Sequence, residues 1–354
     1  MEQKSHISRL PEALLPWYAA NRRELPWRQD KDPYHIWVSE IMLQQTRVEA
    51  VKGYYARFLD TLPTVAALAD CDDELLHKLW EGLGYYSRVR NLKKAAQQIM
   101  THYNGQFPTA YTDILALPGV GEYTAGAICS IAFDQPTPAV DGNVLRVISR
   151  ITDDPTPIDL PAYKKVVQQK LSVIYPKQAG DFTQALMELG ATVCGPNRQP
   201  DCENCPCKDF CLGCQNKTAN NLPIKSPKKQ RKIEKYTVFI LSCDGKIALE
   251  KRPNKGLLAG LWQLPNISGK LNTQAALNQV EEFGLKPVEI MMQVERKHVF
   301  THIEWDMCGV YMNVSACGGD FAWLSEEEIR AQAALPTAFR LFLPEDERNF
   351  SIKK

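Results

Sequence analysis

The stretch Thr112–Ala132, TDILALPGVGEYTAGAICSIA, decides how the first half of this chain is read. Apolar residues recur at helical spacing on both sides of Pro118-Gly119-Val120-Gly121. A helix should therefore end near Leu117 and a second begin near Glu122, with a tight turn between them. Gly119 and Gly121 sit at the two sides of that turn. Without side chains there, backbone N–H groups approach a ligand closely, and at a helix N-terminus they favour a phosphate. Ala125, Gly126 and Ala127 permit close helix packing beneath. The pattern reads as a helix-hairpin-helix, a grip on a DNA backbone that carries no sequence information. A plain helix–turn–helix connection is the competing reading.

The same helical period extends from residue 8 to about 192, as in Leu75, Leu76, Leu79 and Leu83 or in Val144, Leu145, Val147, Ile148 and Ile151. Breakers at Asp32-Pro33, Gly82/Gly84, Asn104-Gly105 and Asp153 to Pro157 divide it into short helices. Two of these carry informative carboxylates. In DPYHIWVSEIMLQQTRVEAV, Asp32 can cap a helix and Pro33 fits its first position. Glu40 lies four after Ile36 and three before Leu43, so it shares the apolar stripe. Burial disfavours the charged carboxylate, which raises its pKa and suits a proton donor. In PAVDGNVLRVISRI, Asp141 precedes a helix. A simple N-cap accounts for that position alone. A helix N-terminus also favours the ionised carboxylate. One protonated and one ionised carboxylate is the division that cleavage of a glycosidic bond through a cationic sugar requires.

Six of the eleven cysteines follow the last of these helices, in CGPNRQPDCENCPCKDFC and its tail LGC. Cys194, Cys202, Cys205 and Cys211 have the spacing C-x7-C-x2-C-x5-C. Such density in a chain with no apolar signal core implies a metal site in a reduced compartment rather than disulfides. Zinc and a four-iron cluster both accept four thiolates. Zinc ribbons carry two separated C-x2-C pairs, and the run Cys194, Cys202, Cys205, Cys211 has one, which favours the cluster. Cys207 and Cys214 are extra, and either could replace one of the four.

The chain's 354 residues are enough for two domains. Its 42 basic and 41 acidic residues leave a net charge of +1, so net charge gives no push toward nucleic acid. No apolar run approaches a membrane span and the N-terminus lacks an apolar signal core, so a soluble, intracellular protein is expected. The short linker and absent targeting segment suit a bacterium, in which the expected place is the cytoplasm, at the nucleoid. After the cysteines, residues 216–234 are polar and basic without an apolar period and read as a linker. The texture then changes. Tyr236 to Leu241 and Lys246 to Glu250 are strand-like and flank Cys243-Asp244-Gly245, a hairpin signal. Further strands are expected at Glu289 to Val294, Lys297 to Ile303 and Met307 to Val314, and helices at Thr273 to Phe283 and Ser325 to Ala334. The fold class follows: an all-α domain over 1–215 that includes the cysteine loop at 194–214, then an α+β domain over 235–354.

Taken together these motifs resemble the helix-hairpin-helix DNA glycosylase superfamily, and within it the MutY-type adenine glycosylases. The resemblance rests on LPWR (Leu25 to Arg28), WVSEIMLQQTRV (Trp37 to Val48), GLGYYSRVRNL (Gly82 to Leu92), LPGVGEYTAG, AVDGNV, ALMELGATVC and GLLAGLWQLPN (Gly256 to Asn266). It implies a monomer that acts on double-stranded DNA, flips out adenine mispaired with 8-oxoguanine or guanine, and cuts its N-glycosidic bond. By the same resemblance Glu40 protonates the adenine ring, Asp141 stabilises the cationic sugar, and Asn143 supports the pair. Lyase relatives carry a lysine nucleophile where this chain has Tyr123, so the expected enzyme is monofunctional. Tyr123 would position the sugar or Asp141. Gln45 and Tyr85 would enter the duplex around the flipped base. Trp27, Arg28, Leu43 and Glu188 would form the adenine pocket, and Arg88, Arg90, Lys93 and Lys94 could meet phosphates. The cysteines would hold a 4Fe-4S cluster, although the family's first spacing encloses six residues and this one seven.

The second domain resembles a Nudix-like fold that reads the 8-oxoguanine. Its helix TQAALNQVEEFGL has no Arg-Glu pair followed by paired glutamates, as a Nudix hydrolase would, so the metal ligands of a phosphohydrolase are missing. The family's Phe-Ser-His loop appears as Phe300, Thr301 and His302, in which threonine keeps a hydroxyl. The competing readings are an endonuclease III-like lyase, a non-catalytic DNA-binding module and a Nudix-type hydrolase. Tyr123, the intact Glu40 and Asp141, and the missing metal motif oppose them in turn.

Overall fold

The computed structural model describes residues 6–196, 199–227 and 230–343. Parts of the cysteine loop (197–198), of the linker (228–229) and of the C-terminal domain (344–354) therefore lie outside the described residues. The chain divides into two compact units, Met1–Cys71 with Arg90–Lys228, and Asp72–Val89 with Lys229–Lys354. The segment Asp72–Val89, read from the sequence as part of the helical region, groups with the second unit. No helix among the described residues is long and apolar enough to cross a membrane.

The helices before the linker are α1 (Leu10–Asn21), α2 (Pro33–Leu43), α3 (Val48–Thr61), α4 (Val65–Asp70), α5 (Asp73–Leu79), α6 (Ser87–His102), α7 (Tyr111–Leu115), α8 (Glu122–Phe133), α9 (Gly142–Ile151), α10 (Pro161–Ser172), α11 (Ala179–Thr192) and the single turn α12 (Leu212–Gln215). Their ends follow the local chemistry. Asp32 caps α2 by accepting from the Tyr34 N–H at 2.8 Å, with Pro33 at the first position. The hairpin between α7 and α8 turns on Gly119, whose φ of +77° an L side chain rarely adopts. A Cβ there would also lie 2.6 Å from the Cβ of Asn91. Gly121 is the N-cap of α8. The apolar residues read from α9, Val144, Leu145, Val147, Ile148 and Ile151, enter one core with Leu10 and Leu14 of α1 and Phe182, Leu186 and Leu189 of α11.

Much of the linker is tied to the first unit. Thr218 and Asn216 donate to Asp153, the Ile158 N–H donates to the Ile224 carbonyl, and the Ser226 N–H donates to Asp159. These bonds, at Asn216, Thr218, Ile224 and Ser226, order the segment despite the absence of an apolar period.

The second unit is built on a seven-stranded mixed sheet. Its strands are β1 (Lys232–Cys243), β2 (Lys246–Lys251), β3 (Trp262–Gln263), β4 (Asn266–Ser268), β5 (Pro287–Val299), β6 (Ile303–Val314) and β7 (Ala322–Ser325). The main order is β3-β2-β1-β6-β5, with β1 and β6 parallel. Alternation along β1 sends Val238 and Ile240 to one face and Phe239 and Leu241 to the other. Helix α13 (Thr273–Glu282) covers the second face through Ala276 and Val280. Helices α14 (Glu326–Gln332) and α15 (Thr337–Arg340) cover the first through Ile329, Ala338 and Phe339. The β1–β2 hairpin turns on Asp244 (φ +48°) and Gly245 (φ +72°), both in the left-handed region that a two-residue hairpin needs.

One expectation is corrected here. Glu289 to Val294 and Lys297 to Ile303 are not two strands. Residues 287–299 form the single strand β5, and Phe300, Thr301 and His302 make the turn into β6. The polar Glu295-Arg296 pair marks no break, because β5 is an edge strand whose side chains are largely exposed.

Candidate active site

A cavity of about 1250 Å³ opens in the first unit. Helix α2 delivers Glu40 to its wall, and the start of α9 delivers Asp141 and Asn143. Tyr123 comes from the first turn of α8, Glu188 from α11, and Trp27 and Arg28 from the short helical turn Pro26–Arg28. Leu43 and Gln45 line it at the end of α2. Nine residues singled out from the sequence thus share one cavity. Gly119 and Gly121 are in the same unit but do not line it.

Glu40 is 6% exposed, on a helix whose neighbouring residues are buried almost all round. Burial pushes its carboxyl up to about 7, against the lowering effect of a hydrogen bond donated by the Tyr123 hydroxyl. Tyr123 itself is raised well above the phenol range, by burial and by the charge of Glu40. It is a neutral donor whose hydroxyl serves Glu40. The resemblance had suggested the sugar or Asp141 as its target.

Asp141 caps α9. One oxygen accepts from the Val144 N–H at 2.8 Å and the other from Asn143 Nδ2 at 2.7 Å. Burial raises its pKa, and the donated hydrogen bonds from Val144 and Asn143 oppose that rise. The helix terminus, which favours the ionised form, is thus opposed by burial, which helical spacing around a loop residue does not reveal. Asn143 is in turn fixed by Arg146, which donates to Asn143 Oδ1 and to the Gly190 carbonyl, both at 2.8 Å.

Glu188 is 1% exposed and is clamped by two guanidinium groups. Arg23 donates through Nε at 2.6 Å and Nη2 at 3.0 Å, and Arg28 through Nη2 at 2.8 Å. Burial alone would raise the Glu188 carboxyl, but the bonds from Arg23 and Arg28 outweigh it and hold it low. Arg23 and Arg146 were missed in the sequence. Arg146 carries the same signal that exposed Glu40, a charged residue inside an apolar stripe, here between Leu145 and Val147. Arg23 stands five residues before Arg28 in RRELPWR, outside any helix, where periodicity has no reach.

Gln45 and Tyr85 are both non-glycine residues in the left-handed region, at φ +60° and +47°. Such backbone is costly and is held in place by its surroundings. For Tyr85, which is 46% exposed, the holder is Arg88: its guanidinium donates to the Leu83 and Gly84 carbonyls and stacks near the Tyr85 ring. Arg88 Nη2 is thus turned toward its own backbone, and burial lowers the Arg88 pKa to about 10. In the same unit the Tyr85 and Thr301 hydroxyls share a hydrogen bond of 2.5 Å. Phe300 closes that turn through its N–H to the Ile303 carbonyl and packs edge-on against Trp305, while Thr301 and His302 stay exposed.

All six clustered cysteines line one small pocket of the first unit. Arg150 of α9 donates to Cys194 Sγ at 3.1 Å, and Cys211 Sγ donates to the Arg150 carbonyl at 3.4 Å. Cys207 is fully buried, whereas Cys194, Cys202, Cys205 and Cys214 are partly exposed. Six thiols lining one pocket suit a soft, thiolate-bound metal centre.

Comparison with known proteins agrees with this geometry. The family model described as HhH-GPD superfamily base excision DNA repair protein matches residues 38–176, and the NUDIX domain model matches residues 236–345. A solved thermostable thymine-DNA glycosylase is 28% identical with a TM-score of 0.53, covering 60% of this chain and 97% of its own. Endonuclease III, trapped on DNA, superposes with a TM-score of 0.52 at 24% identity, covering 61% of this chain and 99% of its own, which bears on the fold alone. The adenine DNA glycosylase of Rattus norvegicus is 36% identical over 92% of this chain and 76% of its own length. That of Buchnera aphidicola subsp. Baizongia pistaciae is 35% identical over 82% of each. On the extent of those matches, the chain belongs to the adenine DNA glycosylases of the helix-hairpin-helix superfamily.

Proposed function

We propose that the first unit hydrolyses the N-glycosidic bond of an adenine flipped out of duplex DNA, with Glu40 as general acid and Asp141 as the stabiliser of the oxocarbenium sugar. One observation carries this reading: a buried carboxyl raised to about 7 shares a cavity with a carboxylate whose partners are all donors. The Tyr123 hydroxyl occupies Oε2 of Glu40, which leaves Oε1 to hold the proton that goes to the adenine ring. As the bond to the sugar lengthens, positive charge grows on the ring, and Asp141 balances it. Water then adds to the cation and gives up its proton to the carboxylate that Glu40 has become. Tyr123 in place of an amine nucleophile supports a monofunctional enzyme. Trp27, Arg28, Leu43 and the clamped Glu188 would shape the adenine pocket, and Gln45 and Tyr85 would fill the space that the flipped base leaves.

The substrate is double-stranded DNA carrying A·8-oxoguanine or A·G, gripped at the Gly119–Gly121 hairpin by a monomer. Phe300, Thr301 and His302 of the Nudix-like unit would read the 8-oxoguanine. The cysteine loop fits a 4Fe-4S cluster, with Cys194, Cys202, Cys205 and Cys211 as its holders. When bound, such a cluster would hold the loop in place and take no part in bond breaking. The test is single-turnover release of free adenine from an A·8-oxoguanine duplex by the parent, Glu40→Gln and Asp141→Asn. Each substitution should slow release by about 100-fold or more. Undiminished release by either variant would assign the chemistry to other groups.

A further inference from the structure

Five cysteines lie outside the loop, and two of them meet. Cys243 is buried at the end of β1, and Asp244 is the first residue of the β1–β2 turn. Cys317 is exposed on the segment that follows β6. The two sulfurs and a carboxylate oxygen of Asp244 all lie within 4.8 Å of one another. The Cys317 thiol also points at the Cys243 carbonyl, at 3.8 Å. In a tetrahedral zinc site, metal–sulfur bonds of about 2.3 Å and metal–oxygen bonds of about 2.0–2.2 Å place neighbouring ligand atoms roughly 3.5–3.8 Å apart. The 4.8 Å that encloses the three atoms here is about 1 Å wider than that spacing.

We propose that Cys243, Asp244 and Cys317 bind one soft divalent cation of the zinc class. The donor set argues for the class. Two thiolates select zinc or cadmium over magnesium and calcium, and one carboxylate completes three protein ligands. Exposure of Asp244 and Cys317 leaves the fourth position to water. Asp244 and Gly245 form the left-handed turn that follows Cys243 directly, so one end of β1 supplies two of the three donors. Binding releases the two thiol protons and staples the β1–β2 turn to the loop after β6. A disulfide is the competing use of the same sulfurs, but it leaves the converging carboxylate without a role.

The test uses the full chain with its cluster loaded, in reducing buffer, so that the clustered cysteines are occupied. Zinc chloride is added, and zinc per chain is counted by native mass spectrometry and by competition with a chromophoric chelator. The parent should hold one zinc with its iron content unchanged. Cys317→Ser and Asp244→Asn, both at exposed positions, should each weaken that binding by more than about 10-fold, the loss that even an indirect partner of a metal ligand causes. A parent that binds no zinc would overturn the proposal. So would variants that bind it as tightly as the parent, or a Cys243–Cys317 disulfide persisting in the reduced protein. None of these outcomes touches the excision chemistry, since Glu40 and Asp141 belong to the other unit.

Discussion

Glu40 takes its character from where α2 puts it, and that has consequences in both stability and rate. Its carboxyl is raised from an ordinary value near 4.5 to about 7 by burial. A raised folded-state value means that the native protein holds the proton more tightly than the unfolded chain. The contribution to stability is therefore full below about 4.5 and is lost as pH rises through about 7. Glutamine keeps the shape and cannot ionise. Glu40→Gln should thus be more stable than the parent above pH 7, by up to roughly 3 kcal/mol, and this advantage should vanish near pH 4.5. Paired denaturant titrations at the two ends of that range would check it. The same proton predicts a rate of base release that declines as pH rises through about 7. A profile flat across that region would remove Glu40 from the role of acid. Glu188 behaves in the opposite sense, because its arginine partners hold it low and its contribution fades as pH falls. Glu188→Gln leaves two guanidinium groups short of a counter-charge. With Arg23 partly exposed, the expected loss is about 2–4 kcal/mol, read as a lower unfolding midpoint.

Asp141, the proposed stabiliser of the sugar cation, is held by helix packing and not by Glu40. Asn143 steadies Asp141, Arg146 steadies Asn143, and α11 approaches closely at Gly190. A Cβ at Gly190 would lie 2.7 Å from the Cβ of Asn143. Gly190→Ala should therefore cost about 1–3 kcal/mol through overpacking and should also slow base release, although residue 190 touches no substrate. Normal single-turnover rates in a destabilised variant would show that Asn143 is not needed to position Asp141. These helices were legible because periodicity and caps agree in them. Asp32-Pro33, the Pro118–Gly121 turn and the apolar spacing of α9 each point to the observed boundaries. Short strands were not legible. β3 has two residues and β4 three, too few for an alternation to register, and they exist because β2 and β1 offer them ladder partners. The continuity of β5 was hidden for a related reason: an edge strand with both faces largely exposed shows no alternation to follow.

Across the whole molecule, the sequence separated a helical unit from a mixed-sheet unit, and the change of texture after the linker marks where the sheet begins. It did not indicate that Asp72–Val89 groups with the second unit, since tertiary pairings such as Lys251 with Glu74 or the Leu335 N–H with Glu81 leave no local trace. That grouping puts Tyr85 beside Thr301. If Thr301 reads the damaged base, Thr301→Val should reduce the preference for A·8-oxoguanine over A·G by about 2–10-fold, the value of one hydrogen bond, while release from A·G is kept. Parallel kinetics on the two duplexes would measure it. A gel assay on a duplex with one A·8-oxoguanine pair, labelled on the adenine strand, decides whether Glu40 is the acid of a monofunctional glycosylase. Parent and Glu40→Gln are each read with and without hot alkali. Strand breaks are expected in the parent only after alkali, at an abasic site, and almost none in Glu40→Gln. Breaks in the parent without alkali would mean lyase chemistry, and undiminished breaks in Glu40→Gln would mean that Glu40 is not the acid.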